Sequence, residues 1–335
     1  MASLADIRAR LQAQEDKKSK NFNSEGNQVY AHWNADEGTT SIIRFLEDAD
    51  PDNPYFWKER LMFRLPFNGI KNDPTNNKTV IVQVPCMEMY DGERCPVLDE
   101  VRQWFKDPSL EEMGRKYWKK RSYIFQGFVR QSPITEDNVP ENPIRRFVIS
   151  PQIFTKVKDS LLDPEIEHLP TDKEHGLDFR ILKGSKGGYA DYNGSTWARK
   201  ETALTDEELA AIEKHGLFTL SDFLPPKPTA EQQKVIMEMF EASVEGEAYD
   251  PERWGAYYTP PGMQRSGNQD ANTSESSSKP APKAAEKQAE DVAATNDTVA
   301  EAAEAATAAA KVEEEAAPAK GGTQDILQMI RDRQK

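Results

Sequence analysis

Short segments of alternating apolar and polar residues fill the chain between about residues 28 and 200, and Pro, Gly and Asn separate them. Alternation with a period of two is typical of a half-buried β-strand. The clearest predicted strands cover residues 41–46, 78–84, 122–130 and 178–182. The pattern therefore predicts a mainly β core.

Other segments place apolar residues three or four positions apart, which is the period of an α-helix. The predicted helices cover residues 3–15, 96–106, 151–162, 205–215, 229–244 and 325–331. Strands and helices together predict an α+β fold, and a region of roughly 200 residues is long enough to bury a substantial core.

Composition divides the chain into four parts. Residues 1–27 hold a predicted helix and a basic stretch, and residues 28–258 hold the predicted core with its C-terminal helices. Residues 259–324 are rich in Ala, Glu and Ser and have almost no large apolar side chains. Such a segment cannot bury enough surface to offset chain entropy, so we predict a disordered acidic linker. Residues 325–335 are predicted to form a short amphipathic helix.

The bulk charge argues against nucleic acid as a partner, because the formal net charge is −14. No apolar run approaches the roughly 20 residues of a membrane span, and the N-terminus lacks the apolar region of a signal peptide. The two cysteines are too few for a secreted disulfide framework, which favours a reducing cytosol.

The distribution of charge changes this picture. No acidic residue occurs between Glu112 and Glu136, a window that holds six cations and five aromatic residues. Cations that follow phosphates and rings on which bases stack are the elements of single-strand binding. The candidate nucleic-acid-binding residues in the window are Arg115, Lys116, Tyr117, Trp118, Lys119, Lys120, Arg121 and Tyr123. A solvated basic turn followed by an ordinary buried strand accounts for the window equally well.

Two further segments repeat this chemistry and favour binding. Arg145, Arg146 and Phe147 open another predicted strand. Residues 183–192 form a Gly-rich segment whose candidates are Lys183, Lys186, Tyr189 and Tyr192. Glycine permits close backbone approach to a ligand, although a flexible hairpin tip has the same composition. The spacing is not that of a mononucleotide phosphate loop.

The sequence offers little for catalysis or metal binding. It lacks a Gly-x-Ser-x-Gly elbow, a His-Glu-x-x-His pair and an acidic cluster at metal-binding spacing. Cys86 and Cys95 are two thiols where a structural zinc site needs four ligands, so buried free cysteines are the favoured interpretation. We therefore expect a protein that is not an enzyme.

The order and spacing of five segments resemble the T-even-type bacteriophage single-stranded DNA-binding (helix-destabilising) protein family. The resemblance covers residues 40–205. Its segments are Ile43-Arg44-Phe45-Leu46, Cys86 with Asp91 and Cys95-Pro96-Val97, Lys119-Lys120-Arg121-Ser122-Tyr123, Arg146-Phe147, and Tyr189-Ala190-Asp191-Tyr192.

The resemblance implies an OB-fold-like barrel with an additional small metal-bearing subdomain and a groove for single-stranded DNA. It also implies a basic N-terminal segment, here Lys17, Lys18 and Ser19, that docks on a neighbouring protomer, and an acidic tail that recruits phage replication and recombination proteins. The residues that match or adjoin the family's base-stacking positions are Tyr117, Tyr123, Phe147, Tyr189 and Tyr192.

Two departures from the family change these expectations. The family's zinc site uses one His and three Cys, but only Cys86 and Cys95 remain, and Leu65 and Leu98 fall near the other two positions. We therefore expect no zinc and no other cofactor. The tail ends in a helix instead of an acidic run, and we expect its apolar face to bind partner proteins. That face consists of Ile326, Leu327, Met329 and Ile330.

The sequence thus predicts a protein that coats single-stranded DNA cooperatively and without sequence preference. We expect it to act in phage DNA replication, recombination and repair, in the cytoplasm of the infected bacterium and away from membranes. An RNA-binding translational regulator and an adaptor that works through its terminal helices remain the alternatives.

Overall fold

The computed structural model describes residues 28–73, 78–136, 139–261 and 263. The predicted N-terminal segment, the predicted C-terminal helix and nearly all of the predicted linker lie outside these residues. The described strands are β1 Thr40–Phe45, β2 Lys58–Asn68, β3 Thr79–Pro85, β4 Lys120–Gln131, β5 Arg145–Ile149, β6 Leu177–Leu182, β7 Gly184–Lys186, β8 Tyr189–Asp191 and β9 Thr196–Glu201. The described helices are α1 Pro96–Trp104, α2 Glu111–Tyr117, α3 Pro151–Leu161, α4 Asp206–His215, α5 Ala230–Glu245 and α6 Pro251–Trp254.

The fold is α+β with a mainly antiparallel sheet, as the sequence predicts. Seven strands pair in the order β3-β2-β4-β1-β6-β9, with β5 on β4, and β7 and β8 form a separate hairpin. The expected closed barrel is wrong, because the edge strands β3 and β9 do not pair with each other within the described residues. They belong to different hydrophobic cores: Val82 of β3 and Trp197 of β9 lie in separate clusters.

Strand β4 organises the sheet. Tyr123 pairs with Glu59 of β2 and with Ile149 of β5, so these two strands lie on opposite edges of β4. Gly127 likewise pairs with both β1 and β5. Strands β1 and β2 therefore use successive segments of the same edge. A Cβ at Gly127 would collide with the carbonyl oxygen of Arg44, so glycine permits this close crossing.

Two large clusters of buried side chains flank this strand. The first packs β2 and β3 against α1, α2, α5 and α6, and both cysteines belong to it together with Leu65 and Leu98. The second lies between one face of the sheet and α3. Cys86, Cys95, Leu65 and Leu98 thus share one apolar core, and the two cysteines are free and buried.

A smaller cluster joins Leu46, Phe128 and Phe218 beneath α4. A buried ionic network lies on the same side of the sheet. Arg130 donates to both Asp178 and Glu208, and the fully buried Arg44 donates to Asp178 at 3.5 Å and to the hydroxyl of Thr202 at 3.1 Å. The network fixes α4 and the strand ends to the sheet.

Candidate nucleic-acid interface

The cations of the acid-free window meet acidic residues from other parts of the fold. Four of them form ion pairs: Arg115 with Glu111, Lys119 with Glu88 at 2.8 Å, Arg121 with Glu59 at 2.7 Å, and Arg130 with both Asp178 and Glu208. Lys120 donates to the carbonyl of Arg115 at 3.2 Å, and Lys116 is exposed. The window is therefore much less electropositive in three dimensions than along the chain.

Glu88 shows how firmly one of these pairs is held. Burial alone would raise the pKa of its carboxyl group, but hydrogen bonds from Lys119 and Arg102 outweigh burial and lower the pKa. The side chain of Lys119 is only 13% exposed. A phosphate that engaged Lys119 would have to displace Glu88, so Lys119 has mainly a structural function.

Most of the predicted stacking residues are buried. Tyr117 and Trp118 lie in the first core, while Tyr123, Phe147 and Tyr192 lie in the second. The hydroxyl of Tyr117 donates to the carbonyl of Ser243 at 2.7 Å, which fixes its ring against α5. Packing covers the faces of these rings, so in this arrangement none of them offers a surface to a base.

The guanidinium groups of Arg145 and Arg146 also have partners within the fold. Two hydrogen bonds of 2.8 Å join the guanidinium of Arg145 to both carboxylate oxygens of Glu136, and the residue is 4% exposed. Arg146 places its guanidinium 4.6 Å from the ring centroid of Phe223. A bidentate pair and a cation–π contact hold these arginines within the fold.

The Gly-rich segment forms a two-stranded hairpin, the β7–β8 hairpin. Gly187 and Gly188 have φ of +63° and +84°, the left-handed conformations that a tight turn requires. Lys186 and Tyr189 are exposed beside the turn, and Tyr189 is 56% exposed. Lys183 instead anchors the base of the hairpin by donating to the carbonyls of Trp33 and Ala35.

Three rings that were not predicted, Tyr55, Trp57 and Phe154, join the predicted Tyr123 in a continuous aromatic surface, which we call the aromatic shelf. Tyr55 stacks on Trp57 with centroids 4.8 Å apart. Trp57 meets Phe154 edge-on at 5.2 Å, and Phe154 stacks on Tyr123 at 3.5 Å. Tyr55 is 56% exposed, Trp57 and Phe154 are half-buried, and Tyr123 forms the buried end.

Helix α3 joins the aromatic shelf to the β7–β8 hairpin. Its residue Gln152 donates to the carboxylate of Asp191 at 2.7 Å and accepts from the backbone N–H of Tyr192 at 3.0 Å. Phe154 lies two residues further on, and Lys156 follows Gln152 by one helical turn, on the same side of the helix. Helix α3 therefore contacts the shelf through Phe154 and the base of the hairpin through Gln152.

A local signal for the shelf was present in the sequence. Tyr55-Phe56-Trp57 is a run of three aromatic residues that directly follows the polar segment Asp50-Pro51-Asp52-Asn53-Pro54. Large aromatic side chains are seldom exposed without a reason. No sequence pattern indicated that Phe154 of α3 would meet this run.

No protein-family model matches the chain, and no curated protein matches it. None of the helices in the described part of the chain is long and apolar enough to cross a membrane. Fold and site together define an α+β protein that exposes an aromatic surface in the described part of the chain.

Proposed function

We propose that the protein binds single-stranded DNA without sequence preference and that the aromatic shelf and the β7–β8 hairpin are its binding surface. The observation that carries the proposal is the exposure of Tyr55 and Tyr189, with the ring of Tyr55 held flat on Trp57. Every base has a π-face, so stacking on such rings tolerates any sequence.

Three lysines are placed to follow the phosphates. Lys58 adjoins Trp57, Lys156 lies on α3, and Lys186 lies at the hairpin tip. Lys58 lies 4.0 Å from Asp50, which is a weak contact that a phosphate can replace. Neutralising three phosphates would give log K against log[salt] a slope of about −2 on a single strand.

The geometry favours a single strand over a duplex. In a duplex the base faces are covered by neighbouring base pairs, so rings such as Tyr55 and Tyr189 have nothing to stack on. The remaining surface is acidic overall, which repels non-specific contact with a polyanion. Stacking, and not charge, therefore supplies the preference for single strands.

The wider function that we propose rests on the resemblance to the phage single-stranded DNA-binding protein family. We propose cooperative coating of DNA through Lys17, Lys18 and Ser19, recruitment of partner proteins through residues 325–335, and action in phage DNA replication, recombination and repair in the cytoplasm of the infected host. Both segments lie outside the described residues. The OB-fold relationship stays part of this proposal, and the shared edge of β4 supports it.

Fluorescence titration with oligo-dT tests the binding surface, because a base stacked on the shelf would quench Trp57. Tyr55→Ala and Tyr189→Ala should each cost about 1–3 kcal/mol, or roughly 5- to 150-fold in Kd. Tyr257→Ala is the matched control, since Tyr257 donates to Glu231 in the first turn of α5. Equal affinities for all four proteins would contradict the proposal, and a preference for structured RNA would favour the regulator instead.

A further inference from the structure

Three metal-ligating side chains meet on the surface, away from the proposed DNA-binding rings. The imidazole rings of His168 and His175 stack with centroids 4.5 Å apart, and Nδ1 of His175 lies 2.9 Å from Oε2 of Glu201. One potential ligand atom from each residue lies within 4.8 Å of the other two. All three side chains are exposed.

Backbone hydrogen bonds fix the positions of His175 and Glu201. The carboxylate of Asp172 accepts from the N–H groups of Glu174 and His175, both at 2.8 Å, and so shapes the turn before β6. Glu201 is the last residue of β9, where it pairs with Leu177. The histidine turn and the strand end are therefore neighbours in a defined register.

Two further bonds join the same segments. The N–H of Thr202 donates to the carbonyl of Gly176 at 2.9 Å, and that of Leu204 donates to the carbonyl of Lys173 at 2.7 Å. These two hydrogen bonds reach the turn on either side of His175. They hold the backbone together while the three exposed side chains remain able to adjust.

We propose that His168, His175 and Glu201 bind a divalent transition-metal ion of the zinc type. Two imidazole nitrogens and one carboxylate oxygen suit Zn²⁺, whereas Ca²⁺ and Mg²⁺ prefer oxygen ligands throughout. Tetrahedral ligands at about 2.0–2.2 Å from the ion lie about 3.4 Å apart. The three ligand atoms need only close in by side-chain rotation, and water completes the coordination.

A metal at this site would join the loop after α3 to the end of β9. The carbonyl of Asp172 in that loop accepts from the buried Arg44 at 3.0 Å, so the ion would reinforce the segment that covers the arginine. Binding to the folded chain alone raises its stability. This site is separate from Cys86 and Cys95, which lie in the first core.

Isothermal titration of the untagged, chelator-stripped full chain with ZnCl₂ tests the proposal. We expect one Zn²⁺ per chain and a higher melting temperature with zinc. His168→Ala and His175→Ala should each weaken binding by at least about tenfold. Cys86→Ser should bind as the wild type does, and so should His215→Ala, in which the histidine at the end of α4 is replaced.

His168→Ala and His175→Ala alter exposed side chains, so with chelator present their melting temperatures should match that of the wild type. The proposal fails if the wild-type chain binds no zinc or if His175→Ala binds it as tightly as the wild type. It also fails if Cys86→Ser removes the binding, because the cysteines would then be the ligands.

Discussion

The ring of Tyr123 lies nearly parallel to that of Phe154, with centroids 3.5 Å apart and an angle of 14° between the planes. Tyr123 belongs to β4 and Phe154 to α3. The contact therefore holds the helix that joins the aromatic shelf to the β7–β8 hairpin. Tyr123 supports the surface from below, which explains why a residue of the basic window is buried.

Tyr123→Ala should consequently lower the free energy of unfolding by about 3–5 kcal/mol, the usual cost of removing a buried ring. Urea unfolding measures this loss, and Tyr189→Ala should change stability by less than about 0.5 kcal/mol because its ring is exposed. An unchanged urea midpoint for Tyr123→Ala, together with weaker oligo-dT binding, would show that Tyr123 itself carries a base.

Lys119 and Lys186 form a matched pair for separating structure from binding. Lys119→Ala leaves the half-buried Glu88 without one of its partners, so stability should fall by about 1–2 kcal/mol with DNA affinity unchanged within about twofold. Lys186→Ala should leave stability unchanged and weaken DNA binding. Denaturation and DNA titration of both variants provide the test. If Lys119→Ala weakened DNA binding and Lys186→Ala did not, the basic window would be the binding site.

Acid should destabilise the protein through the network beneath α4. Burial by itself would raise the pKa of the Glu208 carboxyl, but hydrogen bonds from Arg130 and the N–H of Thr205 lower it. A carboxyl whose pKa is lower in the folded chain stabilises the fold above its ordinary pKa, here 4.5. That contribution is lost as the pH falls from 4.5 through the folded value.

Glu208→Gln should therefore be less stable than the wild type at pH 7, and the difference should shrink as the pH approaches 3. Thermal melts across this range measure it. Glu213→Gln is the control, because Glu213 is an exposed residue of the same helix. A constant difference between Glu208→Gln and the wild type at all pH values would exclude the lowered pKa as the cause.

The thiols of Cys86 and Cys95 should react slowly with external reagents, although the pKa of Cys95 is lowered. A hydrogen bond with Cys86 lowers the pKa of Cys95 to about 7 and raises that of Cys86. Cys86 is fully buried and Cys95 is 2% exposed, so a disulfide reagent should react with the native chain only as fast as it opens. Reaction within seconds at pH 8 without denaturant would contradict this burial.

Local signals in the sequence were sufficient for several elements. Thr205 and Glu208 form a capping box at the start of α4, and Ser150 caps α3. Strand β2 was missed although its large apolar residues alternate from Leu61 to Phe67, because Pro66 argues against the interior of a strand. The predicted barrel also failed, since no local pattern specifies which edges of a sheet meet.

The candidate site shows more clearly which features could not be predicted from the sequence. The basic window contains no acidic residue, yet Glu59 and Glu88 come from earlier segments and pair with Arg121 and Lys119. Such pairing depends on the register of β2 and on the turn after β3, which charge counts along the chain cannot give. Of the predicted stacking rings, Tyr189 alone is exposed, because the others supply the two cores.

The most direct test compares oligo-dT with a duplex of the same length at about 50 and 200 mM salt. Two stacked bases should make the single strand bind at least about 30-fold more tightly than the duplex. Its affinity should fall roughly 15- to 20-fold between the two salt concentrations if three lysines meet phosphates. Equal affinity for both forms, or no binding at the lower salt concentration, would contradict the proposed function.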